Sequence, residues 1–227
     1  MIESGDRIAV GLSGGKDSLI LALLLKRLSL FLPERFDICA ICIDLGFEDF
    51  DPFPISSFCK NYDIPLHMEK THISKIVFDI QKPKSPCALC SNLRRGALNN
   101  KAKALCCNKV ALGHHKDDAI ETLYMSMLYE GRFSLFSPVT YLSRSDITVI
   151  RPMIYIEEAD ISYAVGALGL ETVENPCHID GISRRALVKK LIKDLEETNP
   201  SFKNNIFNAI LDSGIEGWKN PVSRIKK

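Results

Sequence analysis

The chain has 227 residues, of which 46% are hydrophobic and 25% are charged, and its formal net charge at pH 7 is +1. This composition is ordinary for one globular α/β domain with a small extension, and the charge balance gives no general sign of a nucleic-acid binder, although local basic clusters can still form. The N-terminus lacks the features of a signal peptide, and the longest apolar run is too short to span a bilayer. We therefore expect a soluble, cytoplasmic protein with no membrane partner.

Apolar runs alternate with helical patterns along the first half of the chain. Helices are predicted over Asp17–Leu32 and from about Pro54 to Tyr62. The predicted strands are Arg7–Leu12, Ile38–Ile43, Pro65–Glu69 and Lys109–His114. Strands that are apolar on both faces and alternate with helices indicate a parallel sheet covered on both sides. The predicted fold class is α/β, with helices on both faces of a parallel sheet.

The pattern changes after Arg132. A serine-rich stretch over residues 134–146 precedes a short strand at Thr148–Ile150, and helices are predicted at about Glu157–Leu168 and Ser183–Glu197. We predict a nucleotide-binding α/β domain over residues 1–150 and a C-terminal helical extension over residues 151–227. The stretch from Ile80 to Pro86 is predicted to be a surface loop that leads into a helix at Cys87.

The first predicted strand leads into a loop suited to binding phosphate. Gly14 and Gly15 allow close backbone approach, Lys16 supplies a cation, and a helix N-terminus follows. A Walker A loop is excluded, because only three residues separate Gly11 from Gly15 and an aspartate follows the lysine. The alternative is a tight turn with a capping side chain. We predict that the phosphates contact Ser13, Gly14, Gly15, Lys16, Asp17 and Ser18.

A second polar group follows the fourth predicted strand. Asp117 and Asp118 come after Gly113 and His114, at the strand ends where open α/β sheets bind ligands. Paired carboxylates there suit Mg²⁺, although the same pair could only interact with the dipole of a helix. His114 could orient a phosphate or a metal-bound water, or be a buried histidine. Asp44, at the end of the second strand, could contact ribose or metal, cap a helix or lie in a solvated turn.

Eight cysteines in a chain without a signal peptide are better explained as metal ligands, redox groups or buried side chains than as disulfides. Cys87 and Cys90 have the spacing of a metal knuckle or a redox pair, and Cys177 lies in a polar, turn-rich stretch. Three thiolates can hold a 4Fe-4S cluster with one iron open; zinc, a thiol redox pair and no site at all remain alternatives. Core packing is predicted for the others, which are Cys39, Cys42, Cys59, Cys106 and Cys107.

These motifs resemble a known family. The run Ser13–Ser18 is similar to the Ser-Gly-Gly-x-Asp-Ser signature of the PP-loop ATP pyrophosphatases. Several further stretches resemble the tRNA 2-thiocytidine synthetase branch, and they are Cys87–Gly96, Gly113–Asp118, Glu121–Leu123, Tyr129–Gly131 and Ile150–Tyr155. The similarity covers nearly the whole chain. The sequence departs from that branch near Cys177, where the family usually has a second cysteine nearby.

The resemblance implies that ATP adenylates the C2 oxygen of a cytidine at position 32 of a tRNA, and that sulfur then displaces AMP. It implies catalytic roles for Lys16, Asp17 and Asp117, with Asp117 and Asp118 on Mg²⁺. Nucleotide contacts from Asp44, Gly113 and His114, and a 4Fe-4S cluster on Cys87, Cys90 and Cys177, complete the implied site. The alternatives are a PP-loop sulfurtransferase or ligase for another RNA base or a small molecule, and a non-catalytic nucleotide or iron–sulfur sensor.

Basic side chains follow the cysteines along the chain. Arg94 and Arg95 lie on the helix after the cysteine pair, and Arg184 and Arg185 lie on the helix after Cys177. Such clusters suit RNA phosphates, although a solvated helix face is the alternative. The expected partners are tRNA and a sulfur donor, which is either a cysteine desulfurase or inorganic sulfide, and a homodimer is possible.

Overall fold

The computed structural model describes residues 1–83, 86–173, 177 and 184–218, and it contains a six-stranded sheet. The strands in chain order are β1 (Arg7–Gly11), β2 (Asp37–Asp44), β3 (Leu66–Lys70), β4 (Lys109–Ala111), β5 (Val139–Leu142) and β6 (Ile147–Ile150). Their order across the sheet is β3-β2-β1-β4-β6-β5. All neighbours pair in parallel except β5, which forms an antiparallel edge with β6.

Helices connect these strands and follow them. The first four are α1 (Lys16–Phe31), α2 (Phe53–Asn61), α3 (Ile73–Lys75) and α4 (Pro86–Ala104), with a π-helical segment Ile76–Gln81 directly after α3. The others are α5 (Lys116–Glu130), α6 (Glu158–Ala167), α7 (Arg184–Thr198) and α8 (Phe202–Asp212). No helix within the described ranges is long and apolar enough to cross a bilayer.

The sheet is covered on both faces, as predicted. Val10 and Ala40 pack beneath α1 and α2, in a cluster that includes Leu21 and Ile55. Neighbouring strand residues point the other way because side chains alternate along a strand. The fully buried side chains of this second face, including those of Cys39 and Val110, pack against Leu98 of α4. The central strands are therefore apolar on both sides, which explains why they are continuous apolar runs in the sequence.

The C-terminal helices pack mainly on α5. A third apolar cluster joins Ile120 and Leu123 of α5 to Val188 and Ile192 of α7 and to Phe207 of α8. This packing brings α7 and α8 next to the helix whose N-terminus carries the predicted acidic pair. The division into domains at residue 150 remains a prediction.

Several boundaries predicted from the sequence were wrong. The fourth strand ends at Ala111 rather than at His114, and Ile80 and Gln81 belong to the π-helical segment rather than to a loop. The edge strand β5, within the serine-rich stretch, and helix α8 were not predicted. The predicted core position of Cys106 was also wrong, because this residue is exposed, whereas the other four cysteines assigned to the core are buried.

Candidate nucleotide and cluster site

The loop between β1 and α1 is closed by its own serines. The Ser13 N–H donates to Ser18 Oγ at 3.1 Å, and Ser18 Oγ donates to the Gly15 carbonyl at 2.9 Å. Gly15 is the extended residue before α1, so the loop leads directly into the helix N-terminus. The first N–H groups of a helix have no partner within the helix, and they attract anions. The predicted phosphate-binding residues therefore form one compact turn.

Two positions at this loop require glycine, because neighbouring atoms lie too close for a Cβ. Gly14 has φ of +83°, and a Cβ there would lie 2.8 Å from the Val173 side chain. The Val173 N–H also donates to the Gly14 carbonyl at 3.0 Å. A Cβ on Gly113 would lie 3.0 Å from the backbone carbon and oxygen of Asp17. The segment after α6 and the segment after β4 thus both contact the phosphate loop. Only glycine at positions 14 and 113 permits these contacts.

Lys16 is held by carboxylates from two elements. Its Nζ lies 2.7 Å from Asp17 Oδ1 and 3.0 Å from Glu158 Oε1, at the start of α6. Glu158 also accepts from Lys189 of α7, at 2.7 and 2.8 Å. Burial lowers the pKa of Lys16, but the hydrogen bonds with Asp17 and Glu158 outweigh it and raise that pKa. The lysine is therefore charged and positioned before any nucleotide arrives.

Asp117 is buried and fully paired. Its Oδ2 accepts from the Glu158 N–H at 2.7 Å, and its Oδ1 lies 2.9 Å from Lys203 Nζ on α8. Burial by itself raises the pKa of Asp117, but the bonds from Glu158 and Lys203 lower it overall. The ion pairs with Glu196 and Asp117 raise the pKa of Lys203 despite burial. Asp117 is thus a carboxylate that α6 and α8 both contact.

Asp118 faces α7. Its Oδ2 accepts from the His115 N–H at 3.1 Å, and its Oδ1 lies 3.0 Å from an Arg185 guanidinium nitrogen. Arg185 also donates from Nε to Glu121 at 2.7 Å. The other predicted RNA contact on α7, Arg184, lies over the Tyr129 ring at 4.9 Å. Both arginines of α7 therefore contact α5, whereas Arg94 and Arg95 of α4 are exposed.

Three carboxylates surround the buried imidazole of His115. Its Nε2 lies 3.4 Å from Asp118 and 3.8 Å from Asp17, and its Nδ1 lies 3.7 Å from Asp117. Nδ1 is buried and has no hydrogen-bond partner in the part of the chain that the structure describes. Within the described residues, no three His, Cys, Asp or Glu side chains form a ready-made metal site. Mg²⁺ commonly takes only one or two carboxylates and completes its shell with phosphates and water, so this oxygen donor set fits Mg²⁺.

His114 contacts Arg151, which follows β6, and Phe136, in the segment before β5. Its Nδ1 accepts from Arg151 Nε at 3.1 Å, and its ring stacks on Phe136 with centroids 4.8 Å apart. Burial, together with the nearby Arg151 and other cations, lowers the pKa of His114 to about 4. The ring is therefore neutral at physiological pH and carries its proton on Nε2. Sequence reasoning left its role open, and the structure shows a half-buried, hydrogen-bonded side chain.

Asp44 lies at the end of β2, as predicted, but its side chain hydrogen-bonds to the backbone of the following turn. Its Oδ1 accepts from the Gly46 N–H at 2.8 Å, in the turn that follows the strand. The Asp44 carbonyl accepts from both the N–H and the hydroxyl of Thr71. The structure therefore shows the turn-capping arrangement that was one of the alternatives, at the same sheet edge as the phosphate loop.

The three predicted cluster cysteines are at least partly accessible, and Cys90 interacts electrostatically with the other two, although they do not form a ready-made metal site within the described residues. Cys87 is exposed on the first turn of α4, and Cys90 and Cys177 are half-buried. Burial raises the pKa of Cys90, the negative charges of Cys177 and Cys87 raise it further, and Arg94 lowers it. Three thiols within electrostatic range, set apart from the buried cysteines, have the chemistry that an iron–sulfur cluster needs. Apart from Cys177, the stretch Asn175–Gly181 lies outside the described residues.

Sequence reasoning missed four residues that shape the site: Glu158, Lys203, His115 and Arg151. Glu158 and Lys203 come from helices far along the chain, and no local pattern distinguishes them from other surface charges. His115 and Arg151 lie inside stretches that resemble the tRNA 2-thiocytidine synthetase branch. Their position just after a predicted strand was the signal that could have identified them.

Comparisons with known proteins agree with this geometry. A family model described as the PP-loop domain matches residues 3–195. A tRNA-cytidine(32) 2-sulfurtransferase of Pelobacter propionicus is 38% identical over 213 residues, which cover 92% of this chain and 79% of that protein. A protein of the same name from Geobacter sulfurreducens is 35% identical over 92% of this chain and 83% of its own length.

A solved structure extends the comparison to the fold. The U34-tRNA thiolase NcsA from Methanococcus maripaludis, solved with its 4Fe-4S cluster, superposes with a TM-score of 0.77 and 27% sequence identity. The match covers 95% of this chain and 74% of that one. The chain therefore belongs to the PP-loop family, within its tRNA 2-thiocytidine synthetase branch.

Proposed function

We propose that this protein is an ATP-dependent tRNA sulfurtransferase that replaces the C2 oxygen of cytidine 32 by sulfur, giving 2-thiocytidine. Relatives that are 35 to 38% identical carry the name of this activity. The observation that carries the proposal is the meeting of three groups at one sheet edge. Val173, four residues before Cys177, hydrogen-bonds to Gly14 of the phosphate loop, which supports the proposal that the loop, the carboxylates and the cysteines belong to one site.

The first chemical step uses ATP as a substrate. The C2 oxygen of the cytosine attacks the α-phosphorus, and the bond from that phosphorus to the bridging oxygen of pyrophosphate breaks. Charge develops on the leaving pyrophosphate, and Lys16 and the amides at the start of α1 stabilise it. Because Asp17 and Glu158 already hold Lys16, little reorganisation is needed when this charge develops.

Asp117 and Asp118 are the residues we propose for Mg²⁺. When bound, the ion would neutralise phosphate charge. Both carboxylates are paired with cations, Asp117 with Lys203 and Asp118 with Arg185. Coordination therefore requires an exchange of partners, which would release Lys203 and Arg185 to face phosphate groups of ATP or RNA. Asp17, which lies near the His115 imidazole as Asp117 and Asp118 do, would help to hold Lys16 during this exchange.

The second step exchanges the C2–O bond for a C2–S bond, and AMP leaves. With sulfide as the donor this is a substitution that needs no oxidant or reductant. We propose that Cys87, Cys90 and Cys177 would hold a 4Fe-4S cluster, which when bound would supply an iron without a protein ligand for the sulfide donor. The exposed Cys87 and the neighbouring Arg94 make this part of the site accessible to an anionic donor.

The remaining partners are also proposals. The exposed Arg94 and Arg95 on α4 are positioned to contact tRNA phosphates near the cluster, and Arg184 and Arg185 would add contacts from α7. Either inorganic sulfide or a cysteine desulfurase would supply the sulfur, in the cytoplasm where tRNA is found. A homodimer remains a prediction, which light scattering of the purified protein would test.

The test is the nucleoside content of tRNA. Purified wild-type protein, reconstituted with iron and sulfide without oxygen, should convert unmodified tRNA to 2-thiocytidine in the presence of ATP and Mg²⁺, as measured by mass spectrometry of digested nucleosides. One AMP and one pyrophosphate should form per modified cytidine. Release of ADP and orthophosphate, or thiolation of a different base only, would contradict the proposal.

A further inference from the structure

A cavity of about 360 Å³ lies on the face of the sheet that α4 covers, outside the phosphate loop and the cysteine group. It is enclosed by α4, β4, β5, β6 and the segment before β5. Its walls are mostly apolar, formed by Leu98, Val110, Leu112, Leu135, Leu142 and Val149. Cavities of this size with apolar walls and a few polar groups are typical of small-ligand sites.

One end of the cavity adjoins the phosphate loop. A Cβ on Gly11, the last residue of β1, would lie 3.0 Å from Leu98 Cδ2 and 3.2 Å from Leu112 Cδ2. Both leucines line the cavity, and the phosphate loop begins two residues after Gly11. The other side is formed by α4, whose first turn carries Cys87. A ligand in the cavity would therefore lie beside the end of β1, close to the phosphate loop, and against the helix that carries the cysteine pair.

The cavity wall contains polar side chains, of which Arg151 is held by hydrogen bonds within the described part of the chain and Asn99 is not. Arg151 donates to the Ser137 carbonyl at 2.6 Å and lies over the Phe136 ring at 4.8 Å, so its guanidinium is fixed against an aromatic surface. Burial lowers the pKa of Arg151 to about 10, and Arg95 is close enough to contribute to this lowering. Asn99 is half-buried in the cavity wall, and no hydrogen bond of its side chain is found among the described residues. Its amide is free to donate and to accept.

These features match a nucleobase. A base is flat and apolar on its faces, and it carries donors and acceptors along one edge. The Watson–Crick edge of cytosine offers an amino donor and the N3 and O2 acceptors, which an amide and a guanidinium complement. Phe136, whose ring already contacts His114 and Arg151, supplies an aromatic part of the cavity wall beside which a base would lie. An enzyme that modifies a base in RNA must also remove that base from its stack, and a closely fitting pocket stabilises the extruded form.

We propose that this cavity receives the cytosine to be thiolated, extruded from the anticodon loop, and that Asn99 pairs with its Watson–Crick edge. The inference rests on the proposed function, which requires a pyrimidine base to reach the nucleotide. The adenine of ATP has the same general chemistry, so the experiment must distinguish the two bases.

The test compares Asn99→Leu with Asn100→Leu, a matched control at the next, exposed position of α4. Each protein is titrated with a non-hydrolysable ATP analogue and with an anticodon stem-loop RNA that carries either cytidine or an abasic residue at position 32. Wild-type and N100L proteins should bind the cytidine RNA more tightly than the abasic RNA. N99L should lose this preference and thiolate about tenfold more slowly in a single turnover, because a polar pair to the base is lost. Its affinity for the ATP analogue should change less than twofold.

Weaker binding of the ATP analogue by N99L would place adenine in the cavity and overturn the proposal, as would an N99L protein that behaves like N100L. Thermal unfolding checks that N99L is folded, and Asn99→Asp, which keeps an acceptor but loses the donor, replaces it if it is not. A wild-type protein that prefers cytidine RNA but never thiolates it would refute the proposed function and leave the cavity assignment standing. No difference between the two RNAs in the active wild-type protein would refute the cavity assignment alone.

Discussion

Replacing Glu158 by glutamine tests the ion pairs that link the phosphate loop to α7. The carboxylate lies 3.0 Å from Lys16 Nζ and 2.7 Å from Lys189 Nζ. Burial by itself raises the pKa of Glu158, but the bonds from Lys189 and Lys16 outweigh it and lower the pKa from 4.5 to about 2. Glutamine keeps the shape of the side chain and removes its charge.

The size of the effect follows from this pKa. A lowering from 4.5 to about 2 corresponds to about 3 kcal/mol in favour of the charged form. The Glu158 side chain is 23% exposed and that of Lys189 is 56% exposed, so solvent screening reduces this figure. We expect the substitution to lower the free energy of unfolding at pH 7 by about 1 to 2 kcal/mol. It should also weaken ATP turnover, because Lys16 loses a partner that holds it in place.

The pH dependence identifies the cause. A carboxylate whose pKa is lowered in the folded state stabilises that state above the unfolded pKa, and this contribution is lost as the pH falls through the folded pKa. The difference between wild type and Glu158→Gln should therefore be full at pH 7 and shrink steadily from pH 4.5 toward pH 2. Urea unfolding, followed by the fluorescence of Trp218, the single tryptophan, which is buried, measures this difference.

The control is Glu197→Gln, an exposed position on the same α7 that Lys189 occupies. This variant should match wild type in stability and in ATP turnover. A stability difference for Glu158→Gln that stays constant down to pH 3, or no difference at pH 7, would show that the ion pairs do not act as reasoned.

Three other substitutions have expected outcomes. Lys16→Ala should abolish release of pyrophosphate and lower the free energy of unfolding by about 1 kcal/mol, because the ion pairs with Asp17 and Glu158 are lost; a fully active variant would refute its role. Cys90→Ala should lose iron, measured by absorbance and metal analysis, and still bind ATP. The control variant Cys59→Ala should retain the iron, and its free energy of unfolding should fall by about 1 kcal/mol because core packing is lost. Gly14→Ala should lose ATP binding in a calorimetric titration and lower the melting temperature, because its φ is +83° and its Cβ would collide with Val173; wild-type affinity would contradict this.

Local patterns predicted much of the scaffold. The strands β1 and β2 were found because most of their residues are buried on both faces and therefore form continuous apolar runs. The strand β3 was also found, although it is an edge strand of mainly half-buried residues. The edge strand β5 was missed because Val139 and Tyr141 are exposed, so its four residues do not form a continuous apolar run. Helix α8 was also missed, since only Phe207 and Ile210 of its residues are fully buried and its apolar signal is correspondingly narrow.

In the site, too, some features were predictable from local sequence and others depended on the tertiary structure. The phosphate loop and the cysteine pair are each encoded within a few consecutive residues, because close backbone approach to phosphate and thiol spacing are local requirements; the sequence alone therefore determined where they lie. The contacts of Glu158 with Lys16 and of Lys203 with Asp117 join residues more than 80 positions apart. Only the packing of α6, α7 and α8 against α5 and the phosphate loop decided them, because a charged side chain on a helix surface carries no sign in the sequence of the partner it will meet.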